Sequence, residues 1–117
     1  MSSSLVSTGD LISAVQFQEE LRRAGRFCPR SVIVKPLDEA VKAVAQNPAC
    51  VQSRLLTRLL AALTYQCGEF RRADVSALDT PALMLTISLM DACAAGTSTD
   101  EEWIHATEAA RAAEAGA

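Results

Sequence analysis

Leu37, Phe70 and Trp103 stand 33 residues apart. Each is followed three residues later by an alanine (Ala40, Ala73, Ala106) and seven residues later by another small or apolar side chain (Val44, Ala77, Ala110). Pro48 and Pro81 repeat at the same interval. An i, i+3, i+7 stripe lies along one face of a helix, and a period in the low thirties is that of stacked helix pairs. Alanine-on-alanine matches weigh little, because 21 of the 117 residues are alanine. The Leu/Phe/Trp series and the paired prolines carry the signal. Arrays of this kind build grooves for partners more readily than active sites.

A chain of this length forms one domain with a core of its own. Half of its residues are hydrophobic but only five are aromatic (Phe17, Phe27, Tyr65, Phe70, Trp103). A core rich in Ala and Leu with few β-branched residues favours packed helices over sheet. The start, Met-Ser-Ser-Ser, has no positive segment followed by an apolar run, so no signal peptide is read there. The most apolar stretch, between Pro81 and Gly96, contains Asp91 and is too short to span a bilayer. The expectation is a soluble, cytoplasmic protein with no membrane partner.

The net charge of −3 hides an asymmetry. Residues 1–72 carry ten basic against six acidic groups, and residues 73–117 carry one against eight. Arg22, Arg23, Arg26, Arg30 and Lys35 follow one another with no acid among them. That run reads first as a solvated helix end and loop, and second as a docking patch for an acidic partner or another copy. Nucleic acid is not expected as a ligand at a pI near 5.1. Cys28, Cys50, Cys67 and Cys93 lack the short spacings of zinc or redox motifs, and His105 is the one histidine. The cysteines therefore read as buried, reduced small hydrophobes, and neither metal nor cofactor is expected.

Local signals divide the chain further. Residues 1–9 are Ser-rich and read as a disordered tail ahead of a single helical-repeat domain over 10–117. Asp10 caps a first helix to Ala24, stopped by Gly25. Residues 26–35 form a loop in which Val32-Ile33-Val34 is a connector, since the chain shows no second strand candidate. Helices follow over 36–46 and 48–66, the latter opened by Pro48 and stopped at Cys67-Gly68. A short helix covers 69–77. Thr80 and Pro81 open a helix to Gly96 that is apolar on nearly every side, hence buried or covered by a partner. Thr99 and Glu102 form a capping box for a last helix, 100–115. The expected fold is all-α: about six helices in three antiparallel pairs, 10–24 with 36–46, 48–66 with 69–77, and 81–95 with 100–115.

The stretch Leu60…Gly68-Glu69-Phe70-Arg71-Arg72-Ala73 resembles the core pattern of tetratricopeptide repeats, with the first and third pairs degenerate. Residues 36–95, running through Leu78-Asp79-Thr80-Pro81-Ala82-Leu83, are similar to the small cytoplasmic chaperones of type III secretion needle subunits in bacteria. That resemblance implies a right-handed tetratricopeptide-like array holding the amphipathic helix of a needle subunit in an apolar groove, together with a small helical co-chaperone. In such an array the first helix of each pair lines the concave face. Leu55, Arg58, Ala62, Tyr65, Leu83, Ile87 and Met90 are then the partner-binding candidates, with Arg58, Tyr65 and Met90 best suited to a half-exposed wall.

An enzyme is not expected. The chain shows no Gly-rich phosphate loop, no Ser/His/Asp set and no metal-ligand spacing. Asp100, Glu101, Glu102, Glu108 and His105 crowd the last helix, but capping and the helix dipole account for the first three. The alternative function is a self-associating helical adaptor, whose apolar 81–95 helix is buried by a second copy.

Overall fold

The computed structural model describes residues 11–26, 33–66 and 68–116. The expected tail 1–9, Asp10, Val32, Cys28 and Cys67 lie outside that set. The fold is all-α apart from one short ribbon. In chain order the elements are β1 (Leu11–Ser13), α1 (Ala14–Gly25), α2 (Pro36–Gln46), α3 (Val51–Tyr65), β2 (Glu69–Arg71), a 3-10 helix (Arg72–Ala77), α4 (Thr80–Ala95) and α5 (Asp100–Ala115).

Helix ends follow local chemistry, with small shifts from expectation. α1 starts at Ala14 because Ser13 caps it: Ser13 Oγ accepts the Gln16 N–H at 3.2 Å, and Gln16 Oε1 accepts the Ser13 N–H at 3.1 Å. Asp79 caps α4 by accepting the Ala82 N–H at 2.9 Å, so Thr80 is its first residue rather than its cap. Gly96 ends α4 at φ 65°, a backbone that costs glycine nothing. The Thr99–Glu102 capping box of α5 forms as read.

Two segments depart from expectation. Residues 11–13, expected within the first helix, and 69–71, expected to begin a fourth, pair as antiparallel strands with Ile12 opposite Phe70. Ile12 and Phe70 are both buried, while their strand neighbours face solvent. This ribbon puts the Phe70 ring flat on Phe17 of α1, with centroids 4.1 Å apart and planes within 2°. Ile33 and Val34 form no strand, in keeping with the connector reading.

The helices do not pack as three consecutive pairs. α1 and α2 make at most marginal contact, and so do α4 and α5. Instead α5 lies against α2 and α3, while α4 is packed by α1, α2 and α3. Leu37, Ala40 and Val44 of α2 and Trp103, Ala106 and Ala110 of α5 are all buried. The repeated stripe is therefore the contact face of two helices that pack on each other, alanines allowing the close approach. Its middle copy breaks: Phe70 is in a strand, and Ala73 and Ala77 are exposed on the 3-10 helix. Thr64 of α3 and Thr107 of α5 join their hydroxyls at 3.0 Å across the other α5 contact, and Thr107 also donates to the Trp103 carbonyl. A buried hydroxyl with such partners is satisfied at little cost.

Candidate protein-binding surface

Of the seven residues read as groove lining, five are inside. Leu55, Ala62, Leu83, Ile87 and Met90 are each less than a tenth exposed. For Leu83, Ile87 and Met90 the reason is the packing of α4: with helices on several sides, its apolar circumference is used within the molecule rather than offered to a partner. Leu55 and Ala62 lie on α3, itself packed by α2, α4 and α5. Arg58 and Tyr65 are at the surface. The Arg58 guanidinium lies 4.9 Å above the Phe70 ring, donates to the Glu69 carbonyl and pairs with Asp74 at 3.7 Å. Tyr65 is covered on one face by the Arg111 guanidinium, 5.6 Å from its centroid.

The concave apolar surface lies elsewhere, on both flanks of α2. One cleft of about 840 Å³ runs between α2 and α5, with Leu37, Val41, Ala106 and Ala109 among its walls and Lys35, Lys42, Glu101 and His105 around them. A second, of about 760 Å³, runs between α2 and α4 and is lined by Ile33, Ala43, Pro81 and Leu85, with Glu39 and Gln46. Val34 borders both and is 86% exposed, more than any other large hydrophobic described. Sequence reading passed over these residues because Val34 looked like connector and Leu37 like core. The one available signal was the apolar triplet beside a proline-led helix.

The ribbon is a poor site for strand addition. On β2 the Glu69 carbonyl accepts from Arg58, and the Arg71 N–H donates to Asp74 at 2.9 Å. On β1 the Ser13 N–H is taken by Gln16. Backbone groups occupied in this way leave little for an incoming strand to bond.

Of the basic run expected as a solvated end, Arg30 lies outside the described residues, and two of the others are paired. Arg22 meets Asp91 of α4 at 2.9 Å, and Arg23 meets Glu20 at 3.3 Å. Exposed pairs of this kind add little stability, on the order of 0–1 kcal/mol. Cys50 departs from the buried-thiol reading, being exposed as the N-cap of α3, while Cys93 is half-buried. The Ser53 hydroxyl, 3.2 Å from Sγ, and then the Ser53 N–H at 3.4 Å hold the Cys50 thiol below its ordinary pKa. Because the thiolate is the nucleophile, Cys50 is expected to alkylate several-fold faster than Cys93 at neutral pH, and Ser53→Ala to slow it. Peptide mass spectrometry after timed iodoacetamide pulses measures both rates; equal rates would contradict the expectation.

Among the described residues, no group of three or more His, Cys, Asp or Glu side chains is placed to hold a metal ion, and no helix is long and apolar enough to cross a membrane. Compared with known proteins, the chain matches no family model, no curated protein and no solved structure.

Proposed function

We propose that this protein is a non-enzymatic binding module that holds an amphipathic helix of a partner protein along α2. The observation that carries the reading is the pair of apolar-walled clefts flanking α2, with Val34 almost fully exposed between them. A helix laid there would set its apolar side chains against Val34 and Val41, over the rim of the buried Leu37. Lys35 and Lys42 on one side and Glu101 on the other would pair with its polar face. The resemblance of residues 36–95 to needle-subunit chaperones supports a secreted or needle-forming subunit as that partner, with a helical co-chaperone, in the cytoplasm. The binding face moves from the stripe on α3 and α4 to α2, because most of the former stripe is core.

Size-exclusion chromatography with light scattering tests this, using the chain alone and with a peptide carrying the amphipathic C-terminal helix of a needle subunit. A one-to-one complex is expected. Val34→Asp should weaken it at least about tenfold, since it places an unpaired charge in a desolvated contact, yet leave the melting temperature unchanged because Val34 is exposed. A discrete homodimer that ignores the peptide would overturn the reading and favour the self-associating adaptor.

A further inference from the structure

At the far end of the α3–α5 contact, Arg54, Arg58 and Arg111 line one concavity of about 600 Å³, together with Pro48, Ala49 and Glu114. Arg54 and Arg58 are one turn apart and so share a face of α3. The Thr64–Thr107 bond aligns the two helices so that Arg111, four residues further along α5, lies beside them. We propose that this concavity binds a phosphoryl group. The inference is independent of whether the α2 clefts hold a helix.

Two of the three guanidinium groups are held in place before any ligand arrives. Arg58 rests on Phe70 and is tied to the Glu69 carbonyl and to Asp74, and Arg111 rests on Tyr65. Ordering these side chains is a cost that binding would otherwise carry. Among the described residues neither Arg54 nor Arg111 has a carboxylate partner, although the chain is acidic overall. Set against Glu114 in the same lining, Arg54 and Arg111 leave a net positive charge that favours an anion. Guanidinium groups from two helices, with Arg54 and Arg111 uncommitted, suit the several oxygens of a tetrahedral group, whereas a planar carboxylate is satisfied by one fork. Glu114 opposes the anion: its Oε1 is buried with no hydrogen-bond partner. That opposition gives the proposal a sign.

Isothermal titration calorimetry on the full chain tests it, with inorganic phosphate, a phosphoserine peptide and the same peptide carrying Glu in place of phosphoserine. The phosphopeptide and phosphate arms separate a phosphorylated protein from a free phosphate as the source. Arg54→Gln and Arg111→Gln should each weaken binding about tenfold, the scale of one lost charge-assisted contact. Both are surface positions, and circular dichroism checks that the fold is kept. Arg72→Gln, whose arginine is paired with Glu20 outside the concavity, should bind as the parent does. Glu114→Gln should tighten binding several-fold. Binding should also strengthen as pH rises through about 6, where a phosphate monoester becomes a dianion. The proposal is overturned by an absence of phosphate binding in both arms, by a Glu peptide binding as tightly as the phosphopeptide, by an equal loss in Arg72→Gln, or by Glu114→Gln weakening the complex.

Discussion

Phe70→Ala is expected to destabilise the protein by about 3–5 kcal/mol, a large share of the roughly 5–15 kcal/mol by which a domain is stable. Phe70 is 1% exposed, and one face of its ring lies on Phe17, itself 1% exposed. Arg58 covers the other face. Truncation thus leaves a cavity against Phe17 and removes the platform that holds Arg58, a contact worth about 0.5–1 kcal/mol at an exposed site. The local partners cannot collapse easily into the gap, because β2 is pinned by its pairing with β1 and by the bonds from Arg58 and Asp74. Urea unfolding followed by circular dichroism reads the change. A loss below about 1.5 kcal/mol, the range of a mere methylene deletion, would mean that the stack is not part of the core. Phe70→Leu should fall between the parent and Phe70→Ala.

The second large effect separates the periodicity from the structure. If Ala40, Ala73 and Ala106 did the same work in three equivalent pairs, enlarging each would cost the same. In the fold, Ala40 and Ala106 sit at 0% and 5% exposure where α2 and α5 meet, and Ala73 is exposed on the 3-10 helix. Ala40→Leu and Ala106→Leu are therefore expected to cost about 1–3 kcal/mol each by forcing the two helices apart. Ala73→Leu should stay within about 0.5 kcal/mol of the parent. Three thermal melts decide it. Equal losses at all three positions would restore the consecutive-pair arrangement. Because α2 also forms the wall of both clefts and Ala106 lines one of them, Ala106→Leu should in addition loosen any helix bound there, whereas Phe70 lines neither.

Helix ends were legible wherever one or two neighbouring residues set them. Thr99 and Glu102 close the start of α5 on themselves, and Pro36 sits in the first turn of α2, whatever the rest of the chain does. The ribbon was illegible for the opposite reason. Three residues cannot show a period, and Ile12 meets Phe70 only because the chain returns 58 positions later. The surface was harder still. Of the three residues read as wall-like, Arg58 and Tyr65 are at the surface while Met90 is buried. Arg54 and Arg111 carried no local mark, since their shared concavity exists only once α3 and α5 are packed.

What the sequence determined alone is the all-α character, the helix ends set by a local cap or proline such as those of α2 and α5, and the two apolar stripes of α2 and α5, because caps, prolines and helical spacing act over one or two turns. The start of α3, read at Pro48, falls at Val51, and 69–71 is strand. What only the tertiary structure decided is which stripes face each other and which apolar side is left for a partner. α4 is apolar on nearly every side, so its own residues cannot say where solvent lies; its neighbours settle that, burying Leu83, Ile87 and Met90. Burial is a property of the assembled neighbours, and the same packing leaves Val34 exposed between two clefts and gathers three arginines around a third.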